Sequence, residues 1–302
     1  MADIYRIKSI SEVHQMFGLD KPKHPLITII RKWPQIDFDF GNVKLTSELY
    51  LLSMKGKMKG TTFQYGKNSY DFDDGTLVFL APNQVASFED PIEELDDSGW
   101  TILFHPDLIR KSELGKAIRN YSFFNYETNE ALHLSDKEKK SLFELVKKID
   151  LELNQNIDKH SQEIIIQNLE SILKYSNRYY DRQFYTRTNL NKDFVSKFEQ
   201  YLQSYFSSSD LSEMGIPSVK QCGEAMNMSG SYLSDLLKIE TGSSAKDHIH
   251  SYLIEKAKTT LLNSNSTISE IAFGLGFEYP QHFSKLFKGK VGFSPSAYRN
   301  LN

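Results

Sequence analysis

The strongest constraint in this sequence is an internal repeat near its C-terminal end, with a period of about 50 residues. The stretches VKQCGEAMNMSGSYLSDLLKIETG and ISEIAFGLGFEYPQHFSKLFKGKVG carry one apolar skeleton twice. Val219, Cys222, Gly223, Met226 and Met228 recur as Ile268, Ile271, Ala272, Leu275 and Phe277. Leu233, Leu236 and Leu237 recur as Phe283, Leu286 and Phe287. Each copy reads as a short helix, a tight turn and a second short helix. Ser218 with Gln221 and Thr267 with Glu270 stand at capping-box spacing, so each side chain can satisfy a backbone N–H that the first helical turn leaves open. Gly276 sits where the second copy turns, and Pro280 suits a first helical position, where a missing N–H costs nothing.

In the helix after Pro280, Phe283, Leu286 and Phe287 face inward at i, i+3 and i+4. Gln281, His282, Ser284, Lys285 and Lys288 are then left outward, a face rich in donors and without carboxylates. Such a helix suits a major groove, with Gln, Ser and Lys reaching base edges and flanking lysines meeting phosphates. Between the copies, Ile249, Leu253, Ala257 and Leu261 recur at steps of four and predict one continuous helix. At 1.5 Å per residue, roughly 18 residues span about 27 Å. That is comparable to the ~34 Å between successive major-groove faces, so one chain can occupy two adjacent grooves.

The run ISEIAFGLGFEYPQHFSKLFKGKVGFSPSAYR resembles the second helix-turn-helix of the AraC/XylS family of bacterial regulators. It has that signature's Ile-Ala, Gly-Phe, Phe-Ser, Phe-Lys, Gly, Ser-Pro and Tyr-Arg elements at the same spacing. The likeness covers about 105 residues from Lys197 onward, with a diverged first unit. It implies sequence-specific binding of double-stranded DNA at promoters, activation or repression of transcription, and RNA polymerase as a further partner. It also implies an effector-binding, cupin-like barrel at the front of the chain and a homodimer, with no cofactor. Candidate DNA contacts are Ser229, Ser231, Tyr232, Ser234, Asp235 and Lys238 in the first unit. In the second they are Tyr279, Gln281, His282, Ser284, Lys285 and Lys288. Asp235 departs from the basic residue that family members often place there. A carboxylate repels phosphate but can accept a hydrogen bond from cytosine N4, so the second unit is expected to supply more of the affinity.

Charge does not announce a nucleic-acid binder, because 36 Lys and Arg stand against 39 Asp and Glu. Residues 281–302 differ: Lys285, Lys288, Lys290 and Arg299 occur there with no acidic residue. The single cysteine, Cys222, excludes an internal disulfide and reads as a core residue. No apolar run reaches the ~18–20 residues that span a bilayer, and MADIYRIKSI lacks the apolar region of a secretory signal. A cytoplasmic protein without membrane contact is expected.

A chain of 302 residues predicts more than one core. The fold class expected is α+β, in three parts. In residues 1–110, behind a short helix opened by Ser9 and Glu12, the strands in LITII, KLTSELYLLSM, TTFQYG, TLVFL, QVASF and WTILF read as a small barrel or sandwich, which the resemblance makes a cupin-like β-barrel sensor. Residues 111–190 read as a helical connector. Ser135 and Glu138 open a helix of about 18 residues through Leu153, and a second begins near Ser161 with Ile165, Leu169, Ile172, Leu173 and Ser176 on one side. These helices either cover the barrel as a hairpin or leave a stripe for self-association. YSNRYYDRQFYTRTNLNKD reads as the linker, and residues 191–302 as an all-α DNA-binding domain with two helix-turn-helix units.

The rival reading is a cupin-type metal enzyme with an accessory helical domain. His24, His105 and His133 lie in the strand-rich half, but no His-x-His followed by Glu occurs among those strands. His248 and His250 point about 200° apart on a helix and make no metal pair. A third reading is a module that contacts another protein through its paired units. Tyr50, Phe63, Tyr65, Tyr70, Phe72 and Phe79 are candidates for lining an effector cavity, against the alternative of strand core. The acidic run Glu89, Asp90, Glu93, Glu94, Asp96 and Asp97 reads as a solvated loop.

Overall fold

A computed structural model describes residues 3–33, 43–55, 63–65, 68–70, 75–87, 99–127, 130–155, 158–186, 188–207 and 211–300. The chain divides into two compact units, Met1–Gln183 and Phe184–Asn302.

The first unit is strand-rich. Its strands are β1 (Asp3–Ile7), β2 (Ile27–Ile30), β3 (Val43–Ser47), β4 (Tyr50–Lys55), β5 (Phe63–Tyr65), β6 (Asn68–Tyr70), β7 (Thr76–Leu80), β8 (Val85–Ser87), β9 (Trp100–Phe104) and β10 (Leu132–His133). They form a five-stranded antiparallel sheet of order β10-β7-β4-β9-β2, a three-stranded sheet β1-β3-β8 and the ribbon β5-β6. The described strands close into no barrel; the sheets share no strand. The run KLTSELYLLSM, which looks like one strand, is two. Glu48 N–H bonds the carbonyl of Ile7 and Leu49 N–H bonds Ser47 Oγ, and the chain passes there from one sheet to another. The N-terminal β1, which carries no strong strand signal, is held by parallel pairing with β3.

Helix α1 (Ile10–Met16) starts at Ser9, whose hydroxyl accepts from Glu12 N–H at 3.2 Å while Glu12 reaches back to Lys8 N–H at 2.6 Å. It buries Ile10 and Val13 with Phe17, Ile7, Leu45 and Leu103 in one apolar cluster. The other face of the five-stranded sheet is aromatic. Phe79 lies 4.4 Å from Phe123 and 5.6 Å from Phe124, and Tyr50 stacks on Phe104 at 5.0 Å, centroid to centroid.

After a short helix α2 (Glu113–Ala117), α3 (Asp136–Leu153) opens on the expected capping box of Ser135 and Glu138. Helix α4 (Ser161–Thr186) follows. It runs through most of the stretch expected to be a linker, which holds the boundary between the two units but is helical rather than irregular. Ser176, Tyr179, Tyr180, Gln183 and Phe184 are buried at i, i+3, i+4, i+7 and i+8, a helical stripe built from tyrosine and glutamine that apolar periodicity overlooks. Partners near β10 stabilise it. Arg182 forks onto Glu138 at 3.0 and 2.9 Å and donates to the His133 carbonyl at 2.7 Å, while Gln183 accepts from His133 N–H at 2.8 Å.

The second unit is helical: α5 (Thr188–Ser207), α6 (Leu211–Met214), α7 (Val219–Ala225), α8 (Gly230–Thr241), α9 (Ala245–Asn263), α10 (Ile268–Gly274), α11 (Pro280–Val291) and α12 (Pro295–Asn300). Mixed sheet and helix in front and an all-helical C-terminal part agree with the expected class. Among the described residues no helix is long and apolar enough to cross a membrane.

Candidate nucleic-acid interface

Each copy of the repeat builds one helix-turn-helix, α7–α8 and α10–α11. Both scaffold helices open on the capping boxes read from sequence. Gln221 and Glu270 accept from Ser218 and Thr267 N–H at 2.8 and 2.6 Å, and the two hydroxyls return the bond at 3.2 and 3.1 Å. The turns use the left-handed region at equivalent positions, Asn227 at φ 57° and Gly276 at φ 85°. Asparagine is among the few side chains that tolerate this conformation, which disguises the first turn in a search for glycine. Gly223 is needed for a different reason. A Cβ there would lie 2.6 Å from the Met228 carbonyl oxygen and from Gly230 N, so α7 and α8 close on two facing glycines.

Under these turns the repeated apolar positions meet. Leu233, Leu236, Leu237, Phe283 and Phe287 are all buried, with Phe283 and Phe287 5.7 Å apart and Tyr298 of α12 5.5 Å from Phe287. The buried stripe of α9, Ile249, Leu253, Ala257 and Leu261, lies where steps of four put it, with Ile254 added.

The outward face of α11 carries the expected groups. Gln281, His282, Lys285 and Lys288 are exposed and Ser284 is half-buried. Tyr279, the residue before the helix, is exposed and lies 5.4 Å from the His282 ring. The Glu278 carboxylate, hydrogen-bonded to the Tyr279 hydroxyl, holds that phenol above its ordinary pKa and puts one negative charge at the rim of the face.

Two of the four cations that made residues 281–302 look basic have internal partners. Lys290 Nζ lies 3.1 Å from Asp247 Oδ1 in the first turn of α9. Arg299 donates to the carbonyls of Leu261 at 3.1 Å and Ser266 at 2.7 Å, closing the C-terminal end of α9. Lys285 and Lys288 are therefore the lysines that α11 presents.

The first helix-turn-helix is less open. Lys238 is exposed, while Ser231, Ser234 and Asp235 are half-buried. Ser229 is the cap of α8, its hydroxyl accepting from Tyr232 N–H at 3.1 Å. Tyr232 does not face outward as expected: it is 9% exposed with its ring 4.8 Å from that of Phe184. An aromatic contributed from 48 residues upstream widens the buried stripe of α8, and no local pattern could reveal it.

Asp247 accepts from the Ser244 hydroxyl at 2.7 Å and from Lys290, and these bonds pull its pKa down to about 2 from an ordinary 3.8. Folding thus favours the carboxylate, so its contribution is complete above the unfolded value and fades as pH falls through about 2. Asp247→Asn should leave the second unit less stable than wild type at neutral pH, with the gap closing between pH 4 and pH 2. Urea midpoints across that range measure it, and a pH-independent gap would contradict the assignment.

Of the residues expected to line an effector cavity, Tyr50 and Phe79 belong to the aromatic layer described above, packed on Phe123 and Phe124. Phe63 pairs across the ribbon with Tyr70, Tyr65 stands two residues along β5, and Phe72 and the acidic run lie outside the described residues. Cys222 is buried and its thiol is pushed up to about 11 by burial. His24 and His105 each accept a nearby backbone N–H, at 3.1 and 3.2 Å. No cluster of three or more potential metal ligands occurs among the described residues.

Residues 222–301 match the model of a family described as a helix-turn-helix domain. Residues 222–301 are thus a helix-turn-helix domain. The chain is similar to the uncharacterized HTH-type transcriptional regulator YobQ of Bacillus subtilis, 30% identical over 82 residues, which are 27% of this chain and 34% of that protein. It is also similar to the Msm operon regulatory protein of Streptococcus mutans, 30% identical over 108 residues and 36% of each chain. Among solved structures, the C-terminal domain of AraT, a response regulator from Geobacillus stearothermophilus, is 34% identical over 36% of this chain and 84% of that domain, with a TM-score of 0.32. The matches thus span about a third of the length of those two regulators.

Proposed function

We propose that this chain is a sequence-specific DNA-binding transcription regulator rather than an enzyme. Its AraC/XylS-type domain docks on double-stranded DNA, and α11 carries the larger share of binding. The carrying observation is the exposed face of α11, where Gln281, His282, Lys285 and Lys288 stand on a helix anchored by buried Phe283 and Phe287. Gln and Lys are groups that reach base edges and phosphates in a major groove. In the first helix-turn-helix, Ser231, Ser234, Asp235 and Lys238 supply the lesser contacts.

The same reading gives the strand-rich first unit, cupin-like in outline, the role of sensing a small-molecule effector in the cytoplasm. It makes α3 and α4 the dimerising element and RNA polymerase a partner at the promoter. Exposed Leu151 on α3 and Ile164 and Tyr175 on α4 support the dimer.

Selection of bound sequences from a random double-stranded DNA pool by the full chain tests the DNA step. One enriched motif is expected, and no enrichment would overturn the reading. Affinity for that motif should fall with salt as counterions leave the phosphates, and removing Lys288 should reduce the log–log slope by about 1. A salt-independent affinity would exclude phosphate contacts.

A further inference from the structure

Both recognition helices are tied to one turn of the helix between them. Thr241, the last residue of α8, places its Oγ1 2.7 Å from His248 Nε2 and 2.7 Å from the Leu237 carbonyl. The preceding residue of α9, Asp247, meets Lys290 from the last turn of α11 at 3.1 Å. Consecutive helical residues point about 100° apart, which lets Asp247 and His248 reach different neighbours from adjacent positions. This turn is itself held by Ser244, whose hydroxyl donates to Asp247 Oδ2 at 2.7 Å and accepts from Asp247 N–H at 3.2 Å. Fourteen residues further along α9, Arg299 of α12 holds the carbonyl of Leu261. The α11–α12 segment is thus fastened to both ends of α9, and α8 to its first turn.

We propose that Thr241, Asp247, His248 and Lys290 are positioning residues that fix the spacing and helical phase of the two DNA half-sites the chain reads together. The proposal rests on the DNA reading above. Apolar packing on α9 holds the helices close but is non-directional, so it leaves rotation about α9 weakly opposed. Polar contacts of defined geometry at a single turn oppose that rotation. A residue that only added stability would weaken binding to every site alike. A residue of this hub changes which spacing is preferred while the bases read stay the same.

The test is selection from a random double-stranded DNA pool with the full chain, comparing wild type, the double variant Thr241→Val/Asp247→Asn and the charge exchange Asp247→Lys/Lys290→Asp. Wild type should enrich two half-motifs at a single spacing. The first variant should enrich the same half-motifs spread over two or more spacings, with affinity for the best wild-type site about fivefold lower, near the ceiling for an exposed ion pair. The charge exchange should return selection to one spacing. An unchanged single spacing in the first variant overturns the proposal, as does a charge exchange that spreads the spacing as widely. Should the first variant fail to fold, as read by its urea transition, the single substitution Asp247→Asn takes its place and is read by the same two outcomes. A wild-type chain that enriches no motif overturns the DNA reading itself, a different outcome from enrichment with unmoved spacing.

Discussion

Lys285→Glu should weaken binding to the selected DNA about 100-fold while leaving the unfolding transition of the second unit in place. Lys285 is exposed at the centre of the α11 face, between Gln281 and Lys288. A lysine that meets a base edge or phosphate contributes roughly 1–3 kcal/mol, and reversing its charge adds repulsion from the polyanion. About 3 kcal/mol in all corresponds to the 100-fold loss. No buried contact is disturbed, so stability should change by no more than about 0.5 kcal/mol. Fluorescence-anisotropy titration of the full chain against the selected duplex, alongside urea unfolding, separates the two effects. An affinity within twofold of wild type would remove α11 from the interface.

The opposite pattern is expected of Phe287→Ala. Phe287 is fully buried beneath the same helix, between Phe283 and Tyr298. Emptying such a site typically costs about 3–5 kcal/mol, from lost transfer free energy and from the cavity left behind. Against a domain stability of roughly 5–15 kcal/mol, this removes a large fraction of what holds α11 in place. The urea transition of the second unit should move to markedly lower denaturant, with Phe287→Leu intermediate. A loss below about 1 kcal/mol would mean that the site collapses freely and that the repeat is not the core of the unit.

The contrast between these variants follows the division of α11 that its sequence already displays. Phe283 and Phe287 at i and i+4 had to share a face, and the polar residues between them had to take the other. Capping is just as local: Ser218, Ser135 and Thr267 needed only an acceptor three residues ahead. The repeat was legible for the same reason, because its apolar steps are short-range geometry written twice.

What the chain alone determined was therefore every element whose stabilisation lies within a few residues of itself, together with the helix faces that periodicity must sort. Tertiary structure decided the groups whose partners lie far along the chain. Tyr232 turned inward on Phe184, Lys290 was taken up by Asp247 and Arg299 by the carbonyls of Leu261 and Ser266. Residues 176–184 became helix by packing tyrosines and binding Arg182 and Gln183 to the β10 segment. The physical reason is common to all of these. A charged or aromatic side chain carries no local signal of whether water or a distant residue will satisfy it, and only the folded chain brings that residue within reach.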